Sequence, residues 1–195
     1  MRLPHRPAAH LTYCTNMHPG ETWDQVFHAL RAYTLPIRQR LCPGAEFGLG
    51  LRLSDLASRQ LLAGARLAEF RAFCADHGLY VFTINGFPFG PFHGRPVKED
   101  VFRPDWRDPR RLEYTNRLAD ILSQLLPAGM EGSISTLPGS FKTFLTTQAD
   151  VRQVVENLVR HVMHLARIRE APGQTIRLGL EPEPRTPLLA TISRL

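Results

Sequence analysis

The chain has 195 residues, enough for one domain with a sizeable core, and its 43% hydrophobic and 22% charged content excludes a disordered, collagen-like or disulfide-rich chain. The formal net charge is +6, and of the 24 Lys and Arg residues only Lys98 and Lys142 are lysines. Arginine suits phosphate forks, but apart from Arg103, Arg107, Arg110 and Arg111 the basic residues are scattered, which makes a weak nucleic-acid footprint.

Cys14, Cys42 and Cys74 are far apart, with no C-x-x-C pair, so the chain reads as one with reduced thiols rather than a disulfide framework or zinc site. No signal-peptide core follows the N-terminus, and no apolar run approaches a membrane span. The expectation is a soluble, cytoplasmic protein without a membrane span.

In chain order, residues 1–8 are expected to be flexible, and HLTYCTN (10–16) reads as a first strand. Thr22 with Gln25 makes a capping box, and Trp23, Val26, Phe27 and Leu30 recur at helical spacing, predicting a helix to about Arg40 with a kink or early end at Pro36. FGLGLRL (47–53) is a second strand, and Ser54 can cap one or two helices leading to Gly78, a residue suited to a left-handed helix stop. LYVFTI (79–84) does not alternate, and so predicts a strand covered on both faces. The Gly/Pro/Phe-rich loop after it reads as a hydrophobic plug or a substrate-facing lid. Asp108-Pro109 opens a helix, GSIST (132–136) is a fourth strand, and Asp150 is expected to cap the most amphipathic helix. TIRLGL (175–180) is a fifth strand, with Glu181-Pro182-Glu183-Pro184 directly behind it and an irregular tail over 185–195.

Strict β-α alternation implies a parallel sheet with right-handed crossovers. The first turn, NMHPGE, lacks G-x-G-x-x-G, so a dinucleotide fold is disfavoured against a partial (β/α) TIM-type barrel. The expectation is α/β, a single domain over 1–195 with about five parallel strands and flanking helices. Active sites of such barrels form at the carboxyl ends of the strands. There stand Asn16 and His18, Arg52, Asn85 and His93, Thr136 and Lys142, and Glu181 and Glu183. Glu181 is the sharpest candidate, because Pro182 restricts it to extended geometry and a rigid carboxylate suits a divalent ion such as Mn, Zn or Mg. His93 and Asn85 are assigned to catalysis, and Asn16, His18, Arg52, Lys142 and Glu183 to substrate binding.

The segments HLTYCTNMHPGETW, FGLGLRLS, LYVFTINGFPFGPFHG, VKEDVFRPDWRDPRRLEYT, GSISTLPGSFK and LGLEPEP resemble the EboE family, the metabolite traffic proteins of the Ebo operons. The similarity covers about residues 9 to 184 and is most specific over 79–106. That family sits among the xylose-isomerase-like barrels, with sugar isomerases, epimerases and barrel-type AP endonucleases as relatives. The resemblance implies a small-metabolite function, with other Ebo operon products as partners. It also implies that Glu181, matching the glutamate after the fifth strand, is a metal ligand. An active form would be a divalent-metal-dependent isomerase or epimerase moving a proton or hydride beside a carbonyl. The remaining usual ligands come from strands six to eight, for which this sequence has no segments, and the tail RTPLLATISRL departs from the pattern. The chain is therefore expected to be an N-terminal portion, self-associating through exposed strand edges. The alternatives are a nucleic-acid-binding relative of the endonucleases, an inactive truncated product, or a compact five-stranded sheet.

Overall fold

Five parallel strands lie side by side in the order in which the chain makes them. The structure is a computed structural model and describes residues 1–3, 9–94, 98–171, 173–183 and 186. A short antiparallel pair, β1 (Arg2–Leu3) and β2 (Ala9–His10), precedes the sheet. The sheet then runs β3 (Thr12–Cys14), β4 (Phe47–Arg52), β5 (Leu79–Asn85), β6 (Gly132–Thr136) and β7 (Ile176–Leu180), each beside the one before. A doubly wound sheet reverses its strand order at a switch point. This one does not, which is the singly wound order of a partial β/α barrel.

The connections are helical: α1 (Trp23–Ala29), α2 (Leu35–Leu41), α3 (Asp55–Leu61), α4 (Arg66–Asp76), α5 (Pro109–Leu125) and α6 (Gln148–Glu170). Thr22 and Gln25 form the expected capping box, and the Ser54 hydroxyl accepts from the Ala57 amide. Pro36 leaves its helix without an N–H, and the backbone ahead of it widens into a π-type turn over Leu30–Thr34, joining α1 to α2. At the end of α4, Gly78 takes φ +56°, and a Cβ there would meet Arg38 Nη2 at 2.7 Å. Asp150 is not the cap of α6. The Thr147 hydroxyl takes that place and Asp150 closes the box from the third position, binding the Thr147 amide at 2.8 Å.

Alternation along the strands separates two faces. Leu49, Leu51, Val81, Ile84 and Ile134 turn to the helices and are fully buried with Phe70, Leu118, Ile121 and Leu122. Each such side chain contributes about 1.5–3 kcal/mol on burial. The opposite face carries small and polar residues in rows. One row runs Cys14, Gly50, Thr83, Ser133, Arg177, and the next, toward the carboxyl ends, runs Arg52, Asn85, Ser135, Gly179. Helices therefore do not cover β5 on both faces. Its pattern is hidden by a bulge, since Leu49 pairs with Val81 but Gly50 with Thr83, leaving Phe82 as the extra residue.

Two boundaries move from expectation. The first strand stops at Cys14, and Thr15–Met17 forms a 3₁₀ turn that carries Asn16 off the sheet. Residues 1–3, expected to be flexible, pair in the hairpin, with the Met1 ammonium donating to Leu11 O at 2.6 Å. The rest of 1–8, and the tail 185–195 except Thr186, lie outside the described residues.

Candidate functional site

The polar residues at the strand ends fall into two groups. The first lies over β3, β4 and the loop after β5. Arg52 ends β4 only 3% exposed. Its Nη1 donates to Gly20 O at 2.6 Å, its Nη2 donates to Gly90 O at 2.7 Å, and its guanidinium lies 5.0 Å from the Phe92 ring centre. Glu21 Oε2 stands 3.6 Å from Nη2. The guanidinium thus holds the 18–21 turn and the 88–92 loop together through backbone carbonyls. His18, at the rim, meets the Tyr13 hydroxyl through Nε2 at 2.6 Å and stacks flat on Tyr33 at 4.4 Å. Burial, and then the neighbouring His93, press its pKa below the ordinary imidazole value. His93 is exposed and its Nε2–H donates to the Asn16 carbonyl at 2.9 Å, bringing those two together through the backbone of Asn16. A cavity of about 120 Å³ remains between Gly20, Gln25, Arg52, Phe92 and His93.

The second group lies over β5, β6 and β7. Asn85 turns its Oδ1 back to accept the Phe87 amide at 2.9 Å, which starts the loop. The ladder continues one residue beyond β7, the Glu181 amide donating to Thr136 O at 2.9 Å, so Glu181 follows Gly179 on the open face. Its carboxyl is half-buried and bonded to Ser135. Burial raises its pKa, the Ser135 bond opposes that rise, and Glu183 adds to it. Glu183 is partly exposed, and its carbonyl accepts from both the amide and the hydroxyl of buried Thr186. Thr136 faces the helices instead, fully buried. Lys142 is exposed at the start of a 3₁₀ turn, Lys142–Phe144, beyond the end of β6.

Between the groups, the described parts of the loop after β5 are tied to the body of the fold. Arg111, fully buried on α5, donates from Nε to Pro104 O at 2.8 Å and from Nη1 to Gly86 O at 3.0 Å. Burial lowers its pKa to about 10. The Tyr114 hydroxyl donates to Leu53 O, and the Asp55 amide to Phe89 O at 2.9 Å. Phe87 packs on Phe102, and Phe89 packs edge-on to Tyr114. The other arginines of the cluster are also engaged: Arg107 with Asp105 and Asp150, Arg110 with Asp108, and Arg103 with Asp100 and the Phe144 ring.

Ser135 and Tyr13 were not singled out from sequence, and Arg111 was named only as a member of the basic cluster. Ser135 shares its face with Ser133 by simple alternation in GSIST, a readable signal. Arg111 sits at helical spacing with Tyr114, Thr115 and Leu118, all buried, and that periodicity marks it as a core position. Tyr13 meets His18 across a 3₁₀ turn, and no spacing rule foretells it.

Glu181 has Ser135 and Glu183 as neighbours. Among the described residues no group of three or more His, Cys, Asp and Glu side chains could hold an ion. Among them, too, no helix is long and apolar enough to cross a membrane. No protein-family model and no curated protein matches this chain, so any functional reading stands on the geometry and the sequence itself.

Proposed function

We propose that the chain handles a small polar metabolite over the open ends of β5, β6 and β7, as its resemblance to the EboE family implies. One observation supports this reading best: a half-buried carboxyl, Glu181, with a raised pKa, bonded to Ser135 at the carboxyl end of a singly wound parallel sheet. Ligand sites of α/β sheets lie at that end. A carboxyl with a raised pKa can exchange a proton with a substrate hydroxyl or the carbon beside a carbonyl. Asn85 offers an amide in the same row.

Metal binding at Glu181, partnership with other Ebo operon products and a cytoplasmic setting belong to the same proposal and rest on the resemblance or on the three free thiols. Nucleic-acid binding gains nothing from the arginine cluster, whose members face carboxylates, carbonyls or a ring. The test is a thermal-shift and calorimetric screen with aldoses, ketoses and polyols, each with and without Mn²⁺. Binding that Glu181→Gln abolishes in an equally folded protein is the expected result. Binding indifferent to Glu181→Gln and Ser135→Ala removes the site. A Mn²⁺ titration unaffected by Glu181→Ala removes the metal role alone.

A further inference from the structure

Away from Glu181, the cavity of about 120 Å³ beside Arg52 is bordered by polar groups whose orientation is set in advance. Pro19, Gln25, Arg52, Pro91, Phe92 and His93 line it, and Asn85, Ser135 and Glu181 do not. Gln25 is exposed, and the cap of α1 orients its carboxamide: Oε1 accepts the Glu21 amide at 2.8 Å and the Thr22 amide at 3.2 Å. Two backbone donors converging on one atom identify it as the oxygen, so the other is Nε2 with two N–H groups. Among the described residues nothing accepts from Nε2. The amides of Glu21, Thr22 and Trp23 are already bonded, so what this region offers a ligand is side chains. His93 is fixed by the bond from its Nε2–H to Asn16 O at 2.9 Å and by the Phe92 ring, 4.0 Å away centre to centre. A carbonyl can only accept, so in the neutral ring Nδ1 is left as an acceptor. The cavity thus has a fixed donor on one bordering residue and a fixed acceptor on another.

Size, charge and bonding each limit the occupant. A cavity of 150 Å³ holds a benzene molecule, so this one takes about five or six non-hydrogen atoms, either a whole molecule or the end of a longer one. The Arg52 guanidinium and Glu21 Oε2, 3.6 Å apart, both border it and offset each other, so it favours neither sign of charge. Gln25 Nε2 calls for an oxygen with no proton of its own to place, His93 Nδ1 calls for a hydroxyl, and Phe92 with the two prolines covers carbon. We propose that the cavity is a second binding pocket, taking an uncharged α-hydroxycarbonyl group whose carbonyl oxygen accepts from Gln25 Nε2 and whose hydroxyl donates to His93 Nδ1. A free three-carbon ketol and the open end of a longer ketose share that group. Arg52 serves as the floor, its own N–H groups being held by Gly20 O and Gly90 O. The proposal does not rest on the Glu181 reading.

The test is heteronuclear NMR of the full chain, following side-chain amide and imidazole signals while hydroxyacetone is added. The expected result is a saturable shift of the Gln25 carboxamide signal, with an affinity of about millimolar for so small a ligand. Gln25→Glu keeps an acceptor for both cap amides, as a Thr-x-x-Glu box does, and replaces only the donor. It should weaken binding, read at the His93 ring, by about tenfold or more, and His93→Phe, read at the Gln25 carboxamide, should do the same. Acetone lacks the hydroxyl, propylene glycol the carbonyl, and lactate and ethanolamine carry charge; each should bind more weakly than hydroxyacetone. Glu181→Gln should leave the titration unchanged. Erythrulose binding as well as hydroxyacetone supports the pocket as one for the end of a longer ketose, and its exclusion supports one for the free ketol. No saturable shift at Gln25 overturns the proposal. So does binding indifferent to both Gln25→Glu and His93→Phe, a preference for lactate or ethanolamine, or loss of binding in Glu181→Gln, which would merge the pocket with the Glu181 site.

Discussion

The two ends of the open face use the same kinds of residue to opposite ends. Over β4 and β5 the polar groups bind backbone: Arg52 and Arg111 reach between them the carbonyls of Gly20, Gly86, Gly90 and Pro104, and Asn85 Oδ1 accepts from the loop it begins. Over β6 and β7 a carboxyl stands half-buried with its pKa pushed the wrong way for a stabilising carboxylate. A polar side chain at a strand end is therefore not by itself a site. Where its bonding capacity goes to backbone it is architecture, and where burial works against its charge it is a candidate for chemistry.

The comparison breaks most readily at Arg111. Arg111→Met leaves the Gly86 and Pro104 carbonyls buried without a donor, and should destabilise by about 2–4 kcal/mol in urea unfolding. A loss below about 1 kcal/mol would mean that the loop does not depend on the clamp. His161 is next. It is buried, donates from Nδ1 to Asn116, and burial and then His164 hold its pKa down to about 4. The unfolded chain therefore binds a proton that the folded chain refuses between about 6.5 and 4. Stability is complete above that window and falls as pH drops through it, by on the order of 3 kcal/mol. His161→Gln should flatten that part of the pH–stability curve.

Arg52→Met should cost about 1–3 kcal/mol and speed hydrogen exchange at the Asp55 amide, which is bonded to Phe89 O. Unchanged protection there would separate Arg52 from the loop. The smallest effect is expected at Glu181. Its raised pKa means the folded chain holds the proton more tightly, so stability falls as pH rises through the region just above the ordinary carboxyl value. Glu181→Gln should leave the melting temperature unchanged or slightly higher at neutral pH. A clear drop would make Glu181 another structural group and erase the contrast.

Much of this was legible beforehand, for local reasons. Thr22 with Gln25, Asp108 with Pro109, and Gly78 act within one turn of chain, and each stands where its spacing puts it. Asp150 misled because it does bind the cap, but as the acceptor three residues inside, while Thr147 carries the N-cap. Arg52 and Arg111 were illegible as clamps because their acceptors are carbonyls 25 to 38 residues away or across a loop. Carbonyls have no sequence identity. The proximity of Glu181 to Ser135 requires the β6–β7 register, which alternation suggests and only pairing fixes.

The bulge in β5 has a consequence for how the strand tolerates change. In a regular strand an inserted residue inverts the facing of everything after it. Here Phe82 absorbs the extra step, so Thr83 still meets Gly50 and Asn85 still meets Arg52. Phe82 is thus a residue the reading frame of the sheet does not count. A chain lacking it would run Leu79, Tyr80, Val81, Thr83, Ile84, Asn85 in plain alternation and still deliver Asn85 to the same row. A homologous strand of regular pleat would then align with this one across a gap of a single residue, at Phe82 and nowhere else in the strand.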